Sequence, residues 1–120
     1  MQESKKRILV ADDDPAILDV LQIFLKDAGY EVEVTADGAK LRDFRHDQAD
    51  LLLLDVWMSG WNGRDICVYL KSREATRDLP IILFSANKGI KHIAESAGAD
   101  DFLVKPFELD ELLDKLDRYL

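Results

Sequence analysis

The chain has 120 residues, with 24 Asp and Glu against 16 Lys and Arg and a formal charge of −8. That length suits about one domain with its own core, and the acid excess excludes the clustered basic face that a nucleic-acid backbone requires, so no direct nucleic-acid partner is expected. A single cysteine, Cys67, allows no internal disulfide and fits a reducing compartment; no apolar run approaches the roughly 18 residues of a membrane span, so a cytoplasmic protein without membrane association is expected.

The first apolar run, "RILVA" (7 to 11), reads as a strand and leads into Asp12, Asp13 and Asp14. A helix follows: Ile17, Leu18, Leu21, Phe24, Leu25 and Ala28 keep i, i+3, i+4 spacing. Asp14 stands at its N-cap, Pro15 at the first helical position and Gly29 beyond the end. "EVEVT" (31 to 35) alternates, as an exposed edge strand does. A helix around 38 to 46 is expected, on a thin apolar face. "LLLLD" (51 to 55) reads as a strand covered on both faces, followed by a helix around 62 to 73. "IILFS" (81 to 85) is a further buried strand, Ile90, Ile93, Ala94 and Ala97 form a short helical stripe before Gly98, and "FLVK" (102 to 105) is the fifth strand. Leu109, Leu112, Leu113, Leu116 and Leu120 mark a C-terminal helix, with Glu108, Asp110 and Glu111 where the helix dipole favours negative charge. No repeat, low-complexity tract or linker interrupts the chain, so residues 1–120 are expected to form one domain. The alternating order implies an α/β doubly wound parallel sheet with helices on both faces.

In such sheets ligands bind outside the carboxyl ends of the strands. There this chain carries Asp12 and Asp13 after strand one, Asp55 at the end of strand three, Ser85 at the end of strand four and Lys105 at the end of strand five. Each has an ordinary role in isolation: acids before a helix cap it, a serine turns the chain, a lysine is solvated. Together they are harder to explain, because two carboxylates about 4 Å apart repel by about 4 kcal/mol at an effective dielectric near 20. Cations must hold the group together. Lys105 supplies one charge, and oxygen-only ligands suit Mg²⁺ better than zinc, for which the chain offers no thiolate cluster and only the scattered His46 and His92, expected at the surface.

Four ordered motifs, "ILVADDDPAI", "LLLLDVWMSGWNG", "PIILFSA" and "GADDFLVKPF", resemble the receiver domain of two-component response regulators, and the likeness runs from about Lys5 to Leu120. The resemblance implies a flavodoxin-like five-stranded sheet of order 2-1-3-4-5, an order already known for this family. It implies a phosphoacceptor: Asp55 takes a phosphoryl group from a sensor histidine kinase or a histidine phosphotransfer protein. Asp12, Asp13, Asp55 and the backbone carbonyl of Trp57 would hold Mg²⁺. Ser85 and Lys105 would bond phosphoryl oxygens, Phe102 would change rotamer on activation, and Lys105 would precede a cis proline, Pro106. Activation would reach the surface of the fourth helix, fifth strand and fifth helix and so regulate a downstream effector protein or fused output domain, with homodimerisation on phosphorylation as an option. The domain would catalyse only its own phosphorylation and dephosphorylation. Trp57, with Asn87, is expected to shield the acyl phosphate from water and so set its lifetime.

The chain departs from the family pattern at Ser59, where a proline usual in the family is missing, and the stretch between Ala86 and Gly98 is about two residues short. Phe102 lacks the hydroxyl of the tyrosine often found there. Two other function classes remain open: a receiver-like interaction scaffold that is not phosphorylated, and a flavin carrier or small Mg²⁺ phosphatase. The acidic loop after strand one lacks the glycine-rich phosphate cradle of a flavin site, and the chain is short for an aspartyl phosphatase with cap insertions.

Overall fold

In a computed structural model, residues 5–42, 48–58 and 60–120 are described. Five strands form one parallel sheet: β1 (Arg7–Ala11), β2 (Glu31–Thr35), β3 (Leu51–Asp55), β6 (Ile81–Ser85) and β7 (Asp101–Val104). Their spatial order is β2-β1-β3-β6-β7. Counting only these strands, that is the expected 2-1-3-4-5. A two-stranded antiparallel hairpin, β4 (Trp57–Met58) with β5 (Trp61–Asn62), stands apart from the sheet just beyond Asp55.

The central strands are apolar up to their last residues because both faces are covered. On one face Ile8, Val10, Leu51, Leu53, Ile82, Phe84 and Leu103 pack against α1 (Pro15–Asp27) and α4 (Leu109–Tyr119). On the other, Leu9, Ala11, Leu52, Leu54, Ile81 and Leu83 meet α2 (Gly63–Ser72) and α3 (Ile90–Ala97). Alternate residues of a strand point to opposite faces, so "LLLL" divides evenly between two cores. β2 and β7 are the edges, and β2 alternates exposed and half-buried residues as its sequence predicts.

The helix boundaries have local causes. Asp14 accepts a hydrogen bond from the Ala16 N–H at 3.0 Å and caps α1, with Pro15 at its first position. The helix ends at Asp27, with Ala28 as C-cap and Gly29 beyond it at a φ of 102° that only glycine adopts without strain. Ala28 itself is exposed. Asn62 caps α2 by accepting from the Arg64 N–H at 2.9 Å.

Only residues 38–42 of the helix expected around 38 to 46 are described, and they do not form an α-helix. Gly38–Leu41 form a single 3₁₀ turn capped by Asp37, and residues 43–47, including His46, lie outside the described residues. Gly38 is required there because the Trp61 ring lies against its backbone and a side chain would collide with it. Ser59 also lies outside the described residues. α3 is only eight residues long, and the Gly89 at its start offers no side-chain cap.

Candidate functional site

The strand ends bring five of the predicted side chains to one rim. Asp12, Asp55 and Ser85 are buried, whereas Asp13 is exposed. Asp12 follows β1 and is held from two sides: its Oδ1 accepts from the Asp14 N–H at 2.9 Å and its Oδ2 from the Lys105 ammonium at 2.8 Å. Asp55 ends β3, and Lys105 Nζ lies 3.5 Å from its Oδ1. Ser85 ends β6; its Oγ accepts from the Asn87 N–H at 3.1 Å, and its carbonyl accepts from the Lys105 N–H at 2.8 Å. Lys105 is thereby tied to the ends of β1, β3 and β6. The Lys105–Pro106 peptide bond is cis, as expected.

Asp55 sits where the backbone cannot yield. The first residue of α2, Gly63, lies so close to the Asp55 carbonyl that a Cβ there would run into it, and the Gly63 N–H bonds the Val56 carbonyl at 2.6 Å. The glycine in "WNG" therefore anchors the start of α2 on the strand end carrying the candidate nucleophile. Only a requirement for close backbone approach marks it in the sequence.

One oxygen each of Asp12, Asp13 and Asp55 lies within 4.8 Å of the others. Burial first, and the neighbouring Asp12 carboxylate second, push the Asp55 carboxyl up to about 6, although the Lys105 ammonium and a backbone hydrogen bond from Trp57 pull in the opposite direction. Asp12 and Asp55 thus share one ammonium. An oxygen-only donor set with a carboxylate held above its ordinary range fits a hard divalent cation such as Mg²⁺.

The remaining predicted residues are arranged around this centre. Trp57, in β4, is 57% exposed. The Asn87 side chain accepts from the Gly89 N–H at 2.7 Å, so its oxygen is engaged in the turn before α3. Phe102 is half-buried on β7, with the Lys115 ammonium 5.4 Å from its ring centroid. His92 is exposed as expected. Cys67 is buried, its thiol 3.7 Å from the Ala97 carbonyl and pushed by burial up to about 12, which fits an inert structural cysteine. The sequence reading passed over Phe84, whose ring lies 4.6 Å from Lys105 Nζ; its only signal is a shared strand face with the lysine. It also passed over a second lysine–carboxylate cluster, Asp101 with Lys115 and Tyr119, which joins β7 to α4. Among the described residues no helix is long and apolar enough to cross a membrane.

Comparison with known proteins agrees with this geometry. Residues 8–117 match the family model of the response regulator receiver domain. Over 110 residues the chain is 39% identical to the DNA-binding dual master transcriptional regulator RpaA of Synechocystis, covering 89% of this chain and 46% of that protein. Among solved structures it is similar to the chemotaxis protein CheY4 of Vibrio cholerae, with a TM-score of 0.84 at 30% identity over 98% of this chain and all of that one. It is likewise similar to the response regulator TrrA of Thermotoga maritima, determined in complex with Mg²⁺ and BeF, with a TM-score of 0.85 at 34% identity over 96% of this chain and 99% of that one. The chain spans about half the length of the curated relatives it matches. With its five-stranded order, its acidic rim and a family match over almost its whole length, the chain belongs to the response regulator receiver domains of two-component signal transduction.

Proposed function

We propose that residues 1–120 act as one phosphoacceptor domain and that Asp55 is the residue phosphorylated. The observation that carries this reading is the Lys105 ammonium, 2.8 Å from Asp12 and 3.5 Å from Asp55, beside three carboxylates whose oxygens lie within 4.8 Å. Two buried carboxylates that share one ammonium, with a third beside them, form a rim suited to receive a charged group. The donor is a phosphohistidine on a sensor histidine kinase or a histidine phosphotransfer protein.

Asp12, Asp13, Asp55 and the carbonyl of Trp57 would hold Mg²⁺. When bound, it supplies charge neutralisation for the carboxylates and the phosphoryl oxygens. The chain's own groups do the rest. An Asp55 carboxylate oxygen attacks phosphorus; the P–N bond breaks, and its electron pair leaves with the imidazole, giving an acyl phosphate. β3, buried along its whole length, holds the nucleophile on a rigid support. Lys105 is placed to pair with a phosphoryl oxygen, and the Ser85 hydroxyl to donate to another. Reversal is a hydrolysis: water attacks phosphorus, the P–O bond to Asp55 breaks, and inorganic phosphate leaves the regenerated carboxylate.

Recruitment of Ser85 and Lys105 moves the loops after β6 and β7, with Phe102 following by rotamer change, so that α3, β7 and α4 present a different surface to an effector protein, a fused output domain or a second copy of the chain. Trp57 and Asn87 tune the lifetime of the acyl phosphate. The setting is cytoplasmic. The test is incubation with acetyl phosphate and Mg²⁺ followed by intact mass: one phosphoryl group is gained by the parent and none by Asp55→Asn. A parent that gains nothing would favour an interaction scaffold instead.

A further inference from the structure

Phe84 is the last core aromatic before the rim. It is fully buried on β6, opposite Asp55 on one neighbouring strand and Leu103 on the other. Lys105 follows Leu103 by two residues, and the ladder continues to it through its N–H bond to the Ser85 carbonyl at 2.8 Å. Its side chain therefore leaves the backbone on the Phe84 side of the sheet. The ammonium ends 4.6 Å from the Phe84 ring centroid. Phe107 meets that ring edge-on, with centroids 6.2 Å apart and planes at 85°, which fixes the orientation of the Phe84 face.

We propose that Phe84 is a positioning residue for the phosphoryl-transfer site, its ring face forming the seat that keeps the Lys105 ammonium within reach of Asp55. The proposal rests on the reading of Asp55 as phosphoacceptor. Asp12, at 2.8 Å, competes with Asp55, at 3.5 Å, for the same ammonium. A hydrogen-bonding group beneath the lysine would consume one of its three donors. An aromatic face attracts the cation through its quadrupole and leaves all three for oxygens. A leucine would fill much of the volume but exert no such attraction, and Lys105 would settle toward Asp12.

Fluorination separates the ring's electrostatics from its shape. Para-fluoro- and pentafluorophenylalanine at position 84 weaken, then reverse, the quadrupole with little change in packing. The rate of phosphoryl gain from acetyl phosphate is expected to fall stepwise along this series, by about fivefold at the pentafluoro ring. Phe84→Leu should match the pentafluoro protein and Phe84→Trp should retain most of the rate. The second readout needs no phosphorylation: proton exchange at the Lys105 ammonium, followed by ¹⁵N NMR, should quicken in the same order. Rates and exchange that stay flat across the fluorinated series, even with Phe84→Leu impaired, would overturn the seat and leave Phe84 as core packing. If the parent gains no phosphoryl group the phosphoacceptor reading fails, and the ammonium series alone then decides whether the ring holds the lysine.

Discussion

Two clusters of the same residue types stand on this fold with opposite electrostatics. At the rim, Lys105 lies over Phe84 and beside Asp12 and Asp55; at the edge of the sheet, Lys115 lies over Phe102 and 2.8 Å from Asp101. Burial does not distinguish them: the side chains of Asp55 and Asp101 are 7% and 11% exposed, those of the lysines 19% and 16%. Supply and demand do. Asp101 is desolvated, yet bonds from Lys115, the Phe102 N–H and the Tyr119 hydroxyl hold its carboxyl below the usual range. Asp55 shares one lysine with Asp12 and is pushed up to about 6 by burial and that neighbour. The satisfied cluster fastens α4 to β7. The rim cluster, whose two buried acids share one lysine, has capacity for cationic and phosphoryl ligands.

The largest effect that could break this contrast is expected of Asp55→Asn. Phosphoryl gain should vanish by intact mass, while Asp101→Asn leaves it in place. Gain at the parent's rate without Asp55 would mean that the rim cluster is not the chemical one.

Next in size is the pH dependence of stability in metal-free buffer. Asp55 keeps its proton in the folded state up to about 6, whereas the unfolded chain releases it near the ordinary carboxylate value. The folded state thus binds more protons in that window, so stability falls as pH rises through it, by about 3 kcal/mol for a shift of this size. Asp101 has the opposite sign: its stabilisation is present above the unfolded value and is lost as pH falls through the lowered folded one. Urea melts of the parent minus Asp55→Asn between pH 4 and 7.5 should show the first trend, and parent minus Asp101→Asn the second. Millimolar Mg²⁺ should remove most of the first and none of the second. Equal slopes for the two acids would erase the distinction.

A smaller effect is expected of Lys115→Met. It leaves Asp101 with only the exposed Arg118 guanidinium, 3.7 Å away, as a cation and should cost about 1–2 kcal/mol of stability, read from denaturant midpoints, with the rate of phosphoryl gain unchanged. A rate that drops with stability would show that the edge cluster also serves the rim, through Phe102.

The sequence exposes the rim better than the edge for a physical reason. Continuous apolar strands announce their ends, and a carboxylate closing "LLLL" stands out because both faces before it are covered. The sheet and the first and last helices are legible on the same ground, through runs and capped stripes. α2 is fainter because Val68 and Tyr69, both exposed, interrupt the stripe of Ile66, Cys67 and Leu70. The β4–β5 hairpin has two residues per strand, too few for any period. In the 3₁₀ turn at 38–41 the Trp61 ring excludes a side chain at position 38, a tertiary constraint without local trace. The Asp101 cluster depends on reach from α4 to β7, over 14 and 18 residues of chain, and a reading confined to strand ends has no reason to look there.

The least change is expected at the rim's outer edge. Trp57 stands two residues beyond Asp55, its side chain 57% exposed while its backbone bonds the Asp55 carboxyl. Its indole has little packing to lose, so Trp57→Ala should leave the denaturant midpoint almost unmoved. Hydrolysis of the acyl phosphate needs a water aligned opposite the departing Asp55 oxygen, and a bulky ring beside that path lowers the fraction of conformations in which water fits. Removing the ring should speed decay by at most about tenfold, equivalent to about 1.4 kcal/mol of barrier. Mg²⁺ affinity should not change, because the backbone carbonyl at this position is retained. Asn87 bears less on the path, since its side-chain oxygen is already bonded to the Gly89 N–H, and Asn87→Ala should act mainly by loosening the turn before α3. Phosphate release at saturating Mg²⁺ measures both. Faster decay in Trp57→Ala with unchanged metal affinity sets the lifetime at the rim's solvent edge; unchanged or slower decay removes Trp57 from that role and leaves the lifetime to the groups deeper in the rim, Lys105 and Ser85.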